Sequence, residues 1–305
     1  MVHNNERKGI IAGLIGNGIF GFTFMISRIA LNFSAPAVML MYRFTAAFAV
    51  LSIALLLFRR SAKRPSWMLF DLKGKKLLPL ILLGLLQPVL YFLFESYGIS
   101  FTNSTVAGVL IATIPLATLA LGRIHLEEKV WPLQILFSLV SITGVILMTV
   151  LQSSFGEVRP IGIILLIGAV LSAAYFTVTS RKLSKGYSPF ERTYVMMGTG
   201  AVSFLIISVL SNLSELQSII SPLHSAPFVW SVLFLALVAS VVGFFALNTA
   251  ASCLPVSRAS SFANLTTVIS VFVGAIFLGE PFNAVTLIAS VLIIAGIWGV
   301  QVFSR

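Results

Sequence analysis

From Leu77 to Ser100 the chain reads LLPLILLGLLQPVLYFLFESYGIS, 24 residues of nearly unbroken apolar sequence. At 1.5 Å per residue, a helix of that length crosses a hydrocarbon core of about 30 Å. Gln87, Tyr91 and Glu95 stand at i, i+4 and i+8, so a continuous helix sets all three on one face. Pro88 removes one backbone bond and frees a carbonyl near Gly84. A carboxylate at membrane depth costs a few kcal/mol even on lenient insertion scales, so such residues face a cavity or a partner. The polar stripe points to a membrane transporter with Glu95 in or beside its pathway.

The composition agrees. Of the 305 residues, 58% are hydrophobic and 10% charged, against about 25% charged in a soluble domain. The net charge of +11 could suggest a nucleic-acid partner. The basic residues, however, sit at the ends of apolar spans, where they fix orientation in the lipid bilayer. No nucleic-acid binding is expected. Cys253 is the single cysteine, which excludes an internal disulfide and a cysteine metal cluster. His3, His125 and His224 lie far apart, outside or at the edges of the spans, so no metal site is indicated. Arg7 and Lys8 precede an apolar run longer than the 7–15 residues of a signal-peptide core, with no Ala-x-Ala-like site after it. That run reads as a retained first span.

Ten spans can be drawn, at about 9–31, 36–58, 77–100, 104–122, 131–152, 160–181, 190–212, 227–251, 256–278 and 282–303. The loop from Arg59 to Lys76 holds Arg59, Arg60, Lys63, Arg64, Lys73, Lys75 and Lys76 and belongs on the cytoplasmic side. Both termini then face the cytoplasm. On this topology 17 of the 20 Lys and Arg are cytoplasmic, the others being Arg28, Arg43 and Arg159. A cytoplasmic (inner or plasma) membrane location follows.

An internal repeat divides the chain. Gly9, Ser27, Arg28 and Pro36 match Gly162, Ser180, Arg181 and Pro189 at an offset of 153. Ser100, Ala107, Leu126, Glu128 and Gly144 match Ser252, Ala259, Leu278, Glu280 and Gly296 at 152. Five spans per half is an odd number, so the copies are inverted relative to each other. The expected architecture is an all-α integral membrane protein of ten transmembrane helices, with one five-helix repeat over 1–153 and the second over 154–305. Inverted repeats let one central site face either side in turn, although channels can share this symmetry.

These features resemble the EamA-type permeases of the drug/metabolite transporter superfamily. Phe20-Gly21-Phe22-Thr23-Phe24-Met25-Ile26-Ser27-Arg28 resembles the family's first-span pattern, and Met41-Tyr42-Arg43-Phe44 its second-span arginine motif. Ile114-Pro115-Leu116 followed by Leu126-Glu127-Glu128 resembles the fourth-span proline and the closing Leu-Gly-Glu; Leu278-Gly279-Glu280 repeats that ending. Phe20 replaces a tryptophan and Glu127 a glycine, while Thr267 stands where a second proline is expected. Glu95 occupies a position where the commoner pattern has a small or apolar residue. The resemblance implies transport of amino acids, other metabolites or cationic drugs.

Candidate substrate-binding residues are Asn17, Arg43, Gln87, Tyr91, Glu95, Asn248 and Asn264. Arg43 lies about seven residues, roughly 10 Å, in from the outer face and Glu95 about five, so their depths agree. They contact a charged or zwitterionic solute, with Glu95 as candidate proton carrier; or they form a structural ion pair, or Arg43 snorkels outward. Ser240, Phe244, Asn248 and Ser252 recur every four residues, as do Ser260 and Asn264; Asn17 and Gly21, and Ser172, Tyr175 and Thr179, each face one way. Such stripes line a cavity or simply pack helices. Glu128 and Glu280 each precede a span and read as caps of its N-terminus. Gly16-Asn17-Gly18-Ile19-Phe20-Gly21 fits Gly-x-Gly-x-x-Gly but lies inside a span, not after a strand, so the dinucleotide reading is discarded.

No Walker loop and no nucleophile–base–acid set is present, so the chain reads as a non-enzyme without cofactor. The function that fits is alternating-access movement of a small metabolite, an amino acid or related amphipathic solute or a drug-like cation, by a secondary exporter. Protons are a candidate coupling ion. A passive channel would need a continuous polar lining, which Phe92, Phe94, Phe244 and Phe245 interrupt. A non-transporting scaffold would tolerate the loss of Glu95 and Asn264.

Overall fold

A computed structural model describes residues 2–58, 68–102, 104–150, 159–213, 215–278 and 282–303. Among these residues the regular structure is helical throughout. Nine helices are long and apolar enough to cross a membrane: α1 (Val2–Leu31), α2 (Pro36–Phe58), α3 (Leu78–Ile99), α4 (Val106–Leu126), α6 (Pro160–Leu183), α7 (Pro189–Ser211), α8 (Ala226–Cys253), α9 (Val256–Phe277) and α10 (Ala284–Val302). A further apolar helix, α5 (Pro132–Val150), falls where the remaining span is expected and lies along α10. Proline opens α2, α5, α6 and α7, where its missing N–H would have no intrahelical partner anyway. Large apolar side chains such as Leu57, Trp230 and Ile276 are about 70% exposed, a surface that suits hydrocarbon and not water.

The helices pair in a regular way. Helix α1 lies against α8 and α9, while α6 lies against α3 and α4; α2 packs on α7, and α5 on α10. Exchanging each helix for the one five places along leaves that set of pairings unchanged. Matched glycines repeat the symmetry in detail. A Cβ on Gly144 would meet the Ala289 carbonyl and one on Gly296 the Phe137 carbonyl. One on Gly9 would strike Cys253 and Leu254, and one on Gly162 would strike Phe101 and Thr102. Partners as well as glycines are thus spaced by the offset found in the sequence. The glycines of the Gly-x-Gly-x-x-Gly stretch lie inside α1, with Gly16 facing the Gly243 carbonyl and Gly21 facing Ile269.

Helices α3 and α8 share one departure from regularity. Leu235–Gly243 winds as wider π-type turns, and at the matched place in α3, Leu85–Leu90, the helix is interrupted at Gln87.

At the end of the bundle rich in lysine and arginine, Met68 to Lys76 docks on the start of α7. Ser188 and Glu191 form a reciprocal capping box there. The Glu191 carboxylate, 1% exposed, also accepts from the Asp71 amide at 2.7 Å and from Lys75 Nζ at 3.0 Å. Phe70 packs edge-on against Phe190 and Tyr194. The stretch carrying Arg59, Arg60, Lys63 and Arg64 lies outside the described residues.

Two outcomes follow from this packing. Gly162→Val forces a branched side chain into the α3–α6 crossing, where a Cβ would already lie 2.6 Å from Thr102 Cγ2. It should lower stability by about 1–3 kcal/mol, seen as a lower midpoint in thermal unfolding of purified protein. Gly186→Ala, with nothing within 4 Å, should leave the midpoint in place. Glu191→Ala removes the shared acceptor and should speed tryptic cleavage at Lys73, Lys75 and Lys76; an unchanged cleavage rate would show that this segment is held otherwise.

Candidate functional site

Pro88 lacks an N–H, and its ring disfavours the helical conformation for the residue before it. Gln87 accordingly leaves the helix, with φ −146° and ψ 121°. The single polar face expected for Gln87, Tyr91 and Glu95 is therefore broken. Tyr91 and Glu95 follow in regular helix, and the Tyr91 hydroxyl donates to Glu95 Oε1 at 2.9 Å. Gln87 lies in the interruption, half-buried.

Arg43 approaches this pair from α2. It is 2% exposed, and its Nε donates to Ser240 Oγ in the wide turn of α8 at 2.8 Å. The guanidinium carbon lies 5.2 Å from the Phe44 ring centre and 5.1 Å from that of Phe92. Aromatic faces attract a desolvated cation by as much as about 2 kcal/mol, which offsets part of the burial cost. Tyr91, not Arg43, holds the Glu95 carboxylate. No contact ion pair joins Arg43 to Glu95, the one donating to Ser240 and the other accepting from Tyr91. Arg43 Nη2 is buried without a hydrogen-bond partner. Tyr91, Phe92 and Glu95 are each half-buried, so this cluster is not sealed.

The four-residue stripe expected on α8 is split by the Leu235–Gly243 turn. Ser240 faces Arg43, whereas Asn248 and Ser252 face α6 and α7. Asn248 is fully buried, its amide donating to Thr193 Oγ1 and Met196 Sδ and its carbonyl oxygen accepting from Ser180 Oγ. A solute reaching Asn248 would have to displace all three. The centre of this second cluster is Arg192, fully buried and not among the sequence candidates. Its Nη1 donates to the Ser180 carbonyl at 2.7 Å and to Ser180 Oγ at 2.5 Å. Its Nη2 donates to the Asn248 carbonyl at 2.8 Å and to Ser252 Oγ. Its place beside Pro189 makes it resemble the ordinary basic residues of a span end. The rule that drew attention to Arg43, a charge within an apolar helix, applies to Arg192 equally.

Asn17 and Asn264 stand apart from both clusters. Asn17 donates to the Gly13 carbonyl of its own helix, and its backbone carbonyl accepts from Thr266 Oγ1. Asn264 donates to Ser141 Oγ at 2.9 Å, beside a cleft too tight for a water molecule. Tyr175 turns outward to meet His125, away from the buried Ser172. Glu128 does act as a cap, but not of the helix that follows it. Glu127 takes a left-handed φ of 55°, and the Glu128 carboxylate accepts from the Val256 amide at the start of α9 at 2.9 Å. Burial pushes the Glu128 carboxyl up, against the opposing pulls of that amide and of Arg181 at 3.8 Å. Glu280 lies outside the described residues.

The fold is shared with a solved structure, and the sequence is similar to those of named transporters. A transporter of Bacillus subtilis (strain 168), YcxC, is 26% identical over 98% of this chain and 94% of its own. A transporter of Archaeoglobus fulgidus is 25% identical over 96% and 98% respectively. A crystal structure at 15% identity superposes over 97% of each chain with a TM-score of 0.79, which establishes the shared fold. The EamA-like transporter family matches residues 7–150 and again 160–302. With both halves of its sequence matched and its spans paired as described, this multi-pass membrane protein belongs to the EamA-like transporter family.

Proposed function

We propose that this chain is a secondary transporter that exports a small amphipathic metabolite, an amino acid or a related solute, by alternating access. Ten spans form two inverted five-helix halves, 1–153 and 154–305, in a cytoplasmic membrane with both termini inside. The matched helix pairings and glycine contacts support that division. The observation that carries the site is Arg43: a buried guanidinium with a partnerless Nη2, beside a half-buried Glu95 that Tyr91 holds. A lone cation at membrane depth is costly unless something pairs with it. An acidic group of the solute would meet Arg43 Nη2, a basic group would meet Glu95, and Phe44 and Phe92 would flank its apolar part. The interrupted turns of α3 and α8 beside these residues suit a substrate site, because they allow backbone groups to face a cavity.

A screen of amino acids, polyamines, nucleosides and cationic drugs against detergent-purified protein tests this. A true ligand raises the unfolding midpoint by mass action, worth about 2.7 kcal/mol at a hundredfold excess over Kd. The shift should vanish in Arg43→Gln and shrink in Glu95→Gln; a shift unchanged in both variants would remove these residues from the site. Saturable counterflow of the hit in proteoliposomes separates a carrier from a channel.

Glu95 also serves as the proton carrier in this reading. An imposed pH gradient should then drive accumulation in the native protein and fail to do so in Glu95→Gln. If solute exchange persists in that variant while the gradient has lost its effect, coupling and binding are separated. Gradient-driven accumulation by Glu95→Gln would overturn the assignment.

A further inference from the structure

One of the positions that the repeat makes comparable carries a buried charge in the second half and none in the first. At the offset of 153 that relates Pro36 to Pro189, Arg192 corresponds to Met39. Its acceptors Ser180, Asn248 and Ser252 correspond in sequence to Ser27, Ser96 and Ser100. Small polar side chains stand at both sets of positions, while the cation Arg192 has an uncharged methionine as its counterpart.

Arg192 ties the C-terminal part of α8 to α6 and α7 through four oxygens. Arg181 adds bonds from α6 to the Ala251 and Ser252 carbonyls at 3.3 and 2.6 Å. Those carbonyls belong to the last turn of α8, where cations also complement the helix dipole. Glu128 joins the same network to α9, and Arg258 joins α9 to Gln301 of α10 and Glu6 of α1. The matched segments differ in burial accordingly. In α8, Ala246 and Asn248 to Ala251 are all under 9% exposed. In α3, residues Tyr91 to Ser96 are half-buried and Tyr97 is 54% exposed. The basic end is sealed along α8, while the corresponding part of α3 is looser. Each segment follows directly on the irregular turn of its own helix, which is where it would pivot.

We propose that Arg192 is the positioning residue that sets the resting side of the transporter: it latches the post-turn segment of α8 and holds the basic end shut. This rests on the alternating-access reading but concerns a residue outside the Arg43–Glu95 cluster. Arg192→Met copies the first half into the second and removes the bias. The two end-states should then approach equal population, so the basic end opens more often and the opposite end less often.

Cys253, the single and half-exposed cysteine beside this network, reports on the basic end. The experiment uses full-length protein in nanodiscs and a membrane-impermeant maleimide. Arg192→Met should raise the Cys253 labelling rate roughly tenfold, one decade for each 1.4 kcal/mol of lost bias. On a Cys253→Ala background, Ser96→Cys reports on the opposite end, and its labelling should fall when Arg192→Met is added. Arg192→Lys, keeping one charge but not the fork of donors, should lie between. An unchanged Cys253 rate overturns the proposal; so does a rise at both reporters, which is local loosening. Should Arg192→Met not purify as a monodisperse protein, Ser252→Ala removes one acceptor and must move both reporters in the same opposed directions. Native solute counterflow with no reciprocal change in labelling would overturn the latch and leave the transport reading standing.

Discussion

A peptide group in hydrocarbon has no water to bond, so each departure from a helix must be covered by protein. That constraint governs where this chain can be irregular. Its two irregular turns, Leu85–Leu90 and Leu235–Gly243, occupy matched places in α3 and α8. The helices packed on those turns are α6 and α7 for the first, and α1 and α2 for the second. Protein thereby covers much of each irregular segment, while the side chains of Leu90, Leu237 and Val242 stay exposed.

Close approach at the crossings makes this interior possible. Where lipid gives helices no hydrophobic reason to associate, small residues let backbones meet and gain contact energy. The Gly144 and Gly296 pair serves the α5–α10 seam, and Gly9 and Gly162 serve equivalent crossings in the two halves. Against this nearly symmetric frame the charged side chains are distributed unevenly. Arg43 reaches across from α2 to α8 without a carboxylate in contact, and Arg192 is held by hydroxyl and carbonyl oxygens. In the cycle we propose, the symmetric part would supply two comparable conformations, and the asymmetric charges a reason for them to differ in energy.

The polar residues divide by how well their bonds are satisfied. Asn248, Asn264 and Asn17 spend their hydrogen bonds on neighbouring helices, as buried amides must to avoid an unmet donor or acceptor. Arg43 keeps a donor in reserve, as Arg192 does at Nε, but Arg43 alone of the two stands beside the partly open surroundings of Glu95. A packing role suits the first group and a ligand role the second, although helical spacing in the sequence makes them look alike.

Span positions, the two-fold repeat and the family were determined by the sequence alone, because apolar length and helix-terminal prolines are local quantities. Arg43 and Glu95 were legible for the same reason: charge within an apolar run is conspicuous wherever the run packs. Register beyond an irregular turn was decided by the tertiary structure. Gln87 left the face of Tyr91 and Glu95, and Ser240 separated from Asn248, because a single irregular turn rotates all that follows it. Partner choice was decided there too. Glu128 caps α9 rather than α5, and Arg192 meets oxygens up to 60 residues away in sequence, since such bonds depend on which helix ends converge.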